Sequence, residues 1–305
     1  MDFDLTETEQ AVRDGIRAVL DRHAGVDRAR EVEARSGYDA ELEAALWDAG
    51  YLHMAHDPDA GMVAATMLVE EVAAAAGSVP IGTLALVLPA LGLDDLRGPV
   101  AIARPDSDAP VRYASLPGHV LLVDDDEVAV HEMAPGAVVD SLWGYPFGRL
   151  VPGPCVLVLD GAGPSALAWW RLAVAAEIVG AAGAGLALTI DHLNHRMQFG
   201  RPLGALQSLQ HRLAALRVRI EGSRWLTYRA AWEGAPDESV LVATAQAVGA
   251  GRTAVRELHQ MSGAMGLTDE YDLHLWTTRI FSLAAELGGP PVLQQALARA
   301  RWEVR

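Results

Sequence analysis

Between His195 and His211 the chain reads His-Arg-Met-Gln-Phe-Gly-Arg-Pro-Leu-Gly-Ala-Leu-Gln-Ser-Leu-Gln-His. Arg196 carries a permanent cation whose forked N–H groups suit a pyrophosphate. Phe199 offers a flat apolar face to a ring system, and Gln207 brings amide donors and acceptors just past the Gly/Pro turn. The combination points to a nucleotide cofactor. Other polar residues carry less. His192 and His195 stand three apart on a helical pattern without a third ligand, so no metal site is expected. Ser165 and Ser262 have no acid–base partners in a triad arrangement. The glycines between Gly180 and Gly185 have the wrong spacing for a phosphate loop and sit inside a helical pattern, where small residues serve close packing.

The elements that must position these groups follow from periodicity. Apolar residues Leu5, Ala11, Val12, Ile16, Val19 and Leu20 recur at helical spacing, and Thr6 with Glu9 reads as a capping box. Further helices are predicted near 41–50 and 61–76, the latter carrying Glu70 and Glu71 and stopping at Gly77. Between 98 and 160 the texture changes to short β-branched runs at 120–123, 128–130 and 156–159, separated by Pro, Gly and Asp. Helical periodicity then returns, with helices predicted over 166–196, 206–232, 239–265, 272–287 and 291–302. The expected architecture is mainly α with a small β domain: a helical part over 1–97, a reduced β module over 98–163 and a helical bundle over 164–305.

Composition narrows the function classes. The 305 residues are 51% hydrophobic, enough for one large core or two smaller ones. All 24 basic residues are arginine against 40 acidic ones, and the net charge of −16 repels nucleic-acid phosphates and anionic lipid alike. Neither nucleic acid nor a membrane is an expected partner. The acidic start Met-Asp-Phe-Asp-Leu has no basic or apolar leader pattern, and the single Cys155 leaves no internal disulfide, so a cytoplasmic protein is expected. The most apolar stretch, 166–190, is long enough to span a bilayer. Arg171 and Glu177 inside it, and its many Ala and Gly residues, favour a buried bundle helix instead.

Helices, a small β region and then a bundle with Arg196-x-x-Phe199-Gly200-x-x-Leu203 and later Gln260-x-x-Gly263 together resemble the acyl-CoA dehydrogenase family. The segments Met1–Asp14, Leu46–Tyr51, Glu70–Glu71 and Gln260–Trp276 support the resemblance in their order and spacing. It implies an N-terminal helical domain, a β domain and a C-terminal four-helix bundle. It also implies FAD as cofactor and α,β-desaturation of an acyl-CoA thioester. By the same resemblance, Arg196, Gln198, Phe199, Gln207, Gln260 and Gly263 hold the adenine and pyrophosphate end of FAD across a subunit interface. A second glycine is usual after Gly263, and Ala264 stands there.

Such chemistry needs a carboxylate to take the α-proton of the thioester. The family's usual glutamate position falls on Leu287 here, and its alternative position on Trp170; neither side chain is a base. Glu286, one residue before Leu287, is the remaining candidate, and Arg171 matches the family's arginine near the active site. The element before the β strands, Ala103-Arg104-Pro105-Asp106-Ser107-Asp108, is degenerate. These departures resemble the accessory β-type subunit of actinobacterial α2β2 acyl-CoA dehydrogenases. The implied partner is a homologous α-type subunit in a heterotetramer, or a second copy, with a bulky or sterol side-chain acyl-CoA as substrate. Two alternatives stand beside it. One is a homomeric acyl-thioester dehydrogenase with Glu286 as base. The other is a flavin-free binding or assembly protein in which Trp169, Trp170 and Leu287 fill the old site.

Overall fold

A computed structural model describes residues 4–35, 37–57, 61–142 and 144–302. Met1, Asp2 and Phe3, included above in the N-terminal segment, and residues 303–305 of the bundle range lie outside the described residues. The first helices are α1 (Glu7–His23), α2 (Val26–Arg35), α3 (Ala40–Asp48) and α4 (Gly61–Ala74). The capping box is present: Glu9 N donates to Thr6 Oγ1 at 3.2 Å, and Thr6 N donates to the Glu9 carboxylate at 2.7 Å. α2 was not expected from periodicity, because only Ala29 and Val32 of its ten residues are buried. The residue in left-handed backbone after α4 is Ala76 (φ 54°) rather than Gly77. Gly77 is needed for space, since a Cβ there would press on Val72 and Leu42. A π-helical turn, Thr83–Val87, runs into the three-residue α5 (Leu88–Ala90), wholly inside the core apart from Ala90.

The β region holds two small sheets. One has the order β1-β3-β4-β7, built from β1 (Val100–Ala103), β3 (Gly118–Val123), β4 (Glu127–Met133) and β7 (Pro152–Asp160). β1 runs parallel to β3, and the other neighbours are antiparallel. The second has the order β2-β6-β5, from β2 (Val111–Arg112), β5 (Val138–Val139) and β6 (Phe147–Gly148). The three runs expected from sequence fall within β3, β4 and β7. The paired strands of two residues carry too little pattern to be read that way.

The bundle consists of α6 (Gly163–His195), α7 (Gln207–Trp232), α8 (Asp237–Ser262), α9 (His274–Glu286) and α10 (Gly289–Trp302). α6 is long and apolar enough to cross a membrane, yet 72% of its most apolar window is buried within the fold. It is the central helix of the core. Its glycines permit close approach, as their spacing suggested: a Cβ on Gly180 would collide with the Glu70 carbonyl of α4. That contact brings two adjacent carboxylates to different helices. Glu71 receives Arg13 Nε at 2.6 Å and Arg17 Nε at 2.9 Å from α1, while Glu70 receives Arg224 Nε and Tyr228 Oη from α7, each at 2.7 Å.

α6 and α8 run parallel in a sustained seven-residue register. Thr244 donates to the Arg171 carbonyl at 3.1 Å, Gly251 faces Ile178, and Gly185 faces Leu258. The C-terminal ends of both helices therefore lie at the same end of the bundle.

Candidate functional site

Two regions carry the polar chemistry, at opposite ends of α6. At its C-terminal end the helix stops at Arg196, whose N–H still bonds to the His192 carbonyl at 2.8 Å. A hairpin follows, β8 (Met197–Gln198) against β9 (Arg201–Pro202), with Gln198 opposite Arg201. Its two turn residues, Phe199 and Gly200, have φ of 53° and 75°. That is the left-handed pair a tight two-residue hairpin demands, and it is costly for a phenylalanine. The turn lifts the Phe199 ring into solvent, 84% exposed. Phe199 is therefore a surface ring and not part of the core.

The other expected flavin-tail residues share this end. Gln207 opens α7 and is exposed, as are Gln260 in the last turn of α8 and Gly263 just after it. Gly263 adopts φ 61°, ψ −143°, a region open essentially only to glycine, and nothing lies near the place its Cβ would occupy. Ala264, in place of a second glycine, is exposed and does not obstruct that face. Burial, followed by the nearby Arg196 charge, holds His192 below the ordinary imidazole value, so Arg196 is the lasting cation here. One guanidinium, three amide side chains, a ring face and a bare backbone stretch fit the phosphates and base of a dinucleotide.

The second region is a cleft of about 630 Å³ between the β strands and the bundle, lined among others by Ile102, Arg104, Val111, Phe147, Trp170 and Glu286. Glu286 ends α9 and faces this space. Trp170 Nε1 donates to its Oε1 at 2.6 Å, and Arg112 Nε stands 2.6 Å from its Oε2. Arg112 also reaches the buried Glu177 of α6 at 2.8 Å, and Tyr145 Oη donates to the same carboxylate at 3.2 Å. Burial disfavours the Arg112 cation, but Glu177 and Glu286 outweigh it and hold its pKa well above the usual arginine value. Glu177 and Glu286 thus flank a permanent cation.

Several sequence expectations look different here. Arg171 does not line the cleft; it pairs with Asp237 at 2.9 Å, at the start of α8. The buried Glu177 pairs with Arg112, a residue the sequence did not single out. The cleft is open rather than filled: Trp170 forms part of its wall, Trp169 belongs to the core, and Leu287 packs at the core's edge. Arg112 was missed by sequence reasoning. The signal for it was Glu177, a carboxylate in an apolar helix that had to find a buried cation. Among the described residues no His, Cys, Asp and Glu group has metal-holding geometry.

The two regions lie far apart in one chain. Arg196 follows Trp170 by 26 residues of continuous helix, about 39 Å at 1.5 Å per residue. The sequence model of the acyl-CoA dehydrogenase C-terminal domain matches residues 164–301. Acyl-CoA dehydrogenase IpdE2 of Mycobacterium tuberculosis is 28% identical over 97% of this chain and 98% of its own length. Among solved structures, the Tcur3481-Tcur3483 steroid acyl-CoA dehydrogenase superposes with a TM-score of 0.79 at 25% identity, over 96% of this chain and 97% of that one. The ChsE4-ChsE5 complex from Mycobacterium tuberculosis shares the fold, with a TM-score of 0.78 at 21% identity over the full length of both chains. Residues 164–301 thus match the acyl-CoA dehydrogenase C-terminal domain, and the chain as a whole is similar to IpdE2 from end to end and shares the fold of a solved acyl-CoA dehydrogenase.

Proposed function

We propose that this chain is the accessory, β-type subunit of a heteromeric FAD-dependent acyl-CoA dehydrogenase, contributing the adenine and pyrophosphate contacts of a flavin shared with a homologous α-type subunit. The observation that carries this reading is the distance of about 39 Å along α6 between the exposed hairpin and the cleft of the same chain. A hairpin so placed serves a cleft in another subunit. Arg196 would bind the pyrophosphate, Phe199 would cover a ring face, and Gln198, Gln207 and Gln260 would offer amides, with Gly263 allowing close backbone approach. Bound FAD supplies hydride acceptance during α,β-desaturation of an acyl-CoA thioester. The similarity to the Tcur3481-Tcur3483 steroid acyl-CoA dehydrogenase makes a bulky acyl-CoA the favoured substrate class.

The catalytic base belongs to the partner in this reading. A homomeric enzyme using Glu286 has one point in its favour, since Glu286 does face the cleft. Its two oxygens, however, are already held by Trp170 Nε1 and Arg112 Nε, each at 2.6 Å, so neither is free to reach a substrate α-carbon. The test is purification of the chain alone and with co-expressed acyl-CoA dehydrogenase homologues, measuring flavin per complex and dye reduction with acyl-CoA. A flavin-bearing heteromer whose activity survives Glu286→Gln is expected. A yellow, active homomer inactivated by Glu286→Gln would overturn the assignment.

A further inference from the structure

We propose that the cleft between the β strands and α9 binds a small apolar carboxylic acid, a ligand separate from the flavin, through Arg104, Ser141 and Ser282. This rests on the reading above in one respect, that the flavin ring is enclosed by the partner subunit. The starting point is a set of missing hydrogen bonds. Folded proteins leave few buried polar atoms without partners, and those that remain call for an explanation. Here Arg104 Nη1, Ser141 Oγ and Ser282 Oγ are all buried without a hydrogen-bond partner in the chain, and all three residues line this one cleft. Ser282 is only 4% exposed. Burying a hydroxyl unpaired is unfavourable, and a ligand that accepts from it removes the penalty.

The chemistry of the set selects the ligand. All three atoms can donate. Arg104 is anchored by its other terminal nitrogen, 2.7 Å from Asp125 and 3.5 Å from Asp124, which leaves Nη1 uncommitted. Two carboxylates line the cleft: Glu286 is balanced by Arg112 at 2.6 Å, and Asp140 is exposed to solvent. An incoming anion therefore meets three uncommitted donors and a neutralised Glu286, with Asp140 on the solvent-exposed side. The remaining wall is largely hydrocarbon and aromatic, with Ile102, Val111, Val139, Phe147 and Trp170. Such a wall rewards an apolar body at about 0.8 kcal/mol per buried methylene. At about 630 Å³ the cleft falls within the usual size range of small-molecule sites. A carboxylate accepts charge-assisted hydrogen bonds from such donors, which a neutral alcohol does not.

The test is calorimetric titration of the full, flavin-free chain with decanoate, decanol and lumiflavin. Decanoate is expected to bind at least about tenfold more tightly than decanol, the difference of one charge-assisted hydrogen bond. Arg104→Met and Ser282→Val are each expected to weaken decanoate by about tenfold while leaving decanol unchanged. Decanol binding and the melting temperature report that the variants are folded, and the head-group comparison in the unaltered chain stands without them. Equal affinity for decanoate and decanol, no decanoate binding, or indifference of decanoate to both variants would overturn the inference alone. Displacement of decanoate by lumiflavin would overturn it together with the assignment of the ring to the partner.

Discussion

Replacing Arg112 by methionine removes the cation between Glu177 and Glu286 while keeping most of the side-chain volume. Glu177 is only 2% exposed, and its remaining donor is Tyr145 Oη at 3.2 Å. Glu286 retains Trp170 Nε1 at 2.6 Å and borders the open cleft, where water can reach it. The cost therefore falls mainly on Glu177. Breaking a buried ion pair by deleting one partner costs about 3–5 kcal/mol. At roughly 2 °C per kcal/mol for a chain of this size, the melting temperature should fall by about 6–10 °C. The companion variant Arg112→Met/Glu177→Gln removes the stranded charge and should recover at least about half of the loss. Urea titration and thermal scans of the three proteins make the measurement. A fall of less than about 2 °C, or a double variant no more stable than the single one, would refute the view that this cation balances two buried carboxylates.

The remaining expectations concern the hairpin and the paired glutamates. Phe199→Ala should leave the stability of the isolated chain within about 0.5 kcal/mol, because the ring is already in solvent. It should nevertheless lower the flavin retained by the copurified complex several-fold, and unchanged flavin content would count against the interface role. Burial pushes the Glu71 carboxyl up, but hydrogen bonds from Arg17 and Arg13 outweigh it and hold the group below its ordinary value of 4.5. A folded-state value that is depressed contributes stability above the unfolded value and loses it as pH falls through the folded one. Glu71→Gln should thus be about 2–3 kcal/mol less stable than the unaltered protein at pH 7, with the gap closing below about pH 4.5. A gap that is constant from pH 7 to pH 3.5 would disprove the coupling.

Local chemistry was largely legible in the chain. The Thr6–Glu9 cap formed as read, and the five bundle helices appear within three residues of their expected bounds. The hairpin between α6 and α7 was marked by its Gly/Pro content, although the left-handed turn falls on Phe199 as well as Gly200. Two-residue strands and the polar α2 escaped notice because neither offers a run long enough to show a period. Glu177 was visible as an anomaly in an apolar helix, but its partner was not.

What the sequence by itself determined is what neighbours within a few residues decide: where helices start, which faces are apolar, and that Arg196 closes a long helix just before the turn that holds Phe199 and Gly200. Capping and hydrophobic spacing act over one or two turns, so they are written in contiguous residues. Only the tertiary structure decided that Arg112 meets Glu177 and Glu286, 65 and 174 residues away, and that Arg171 turns to Asp237 instead. Those pairings arise because packing excludes water and obliges each buried charge to find whichever opposite charge the fold brings near, a condition no local spacing records.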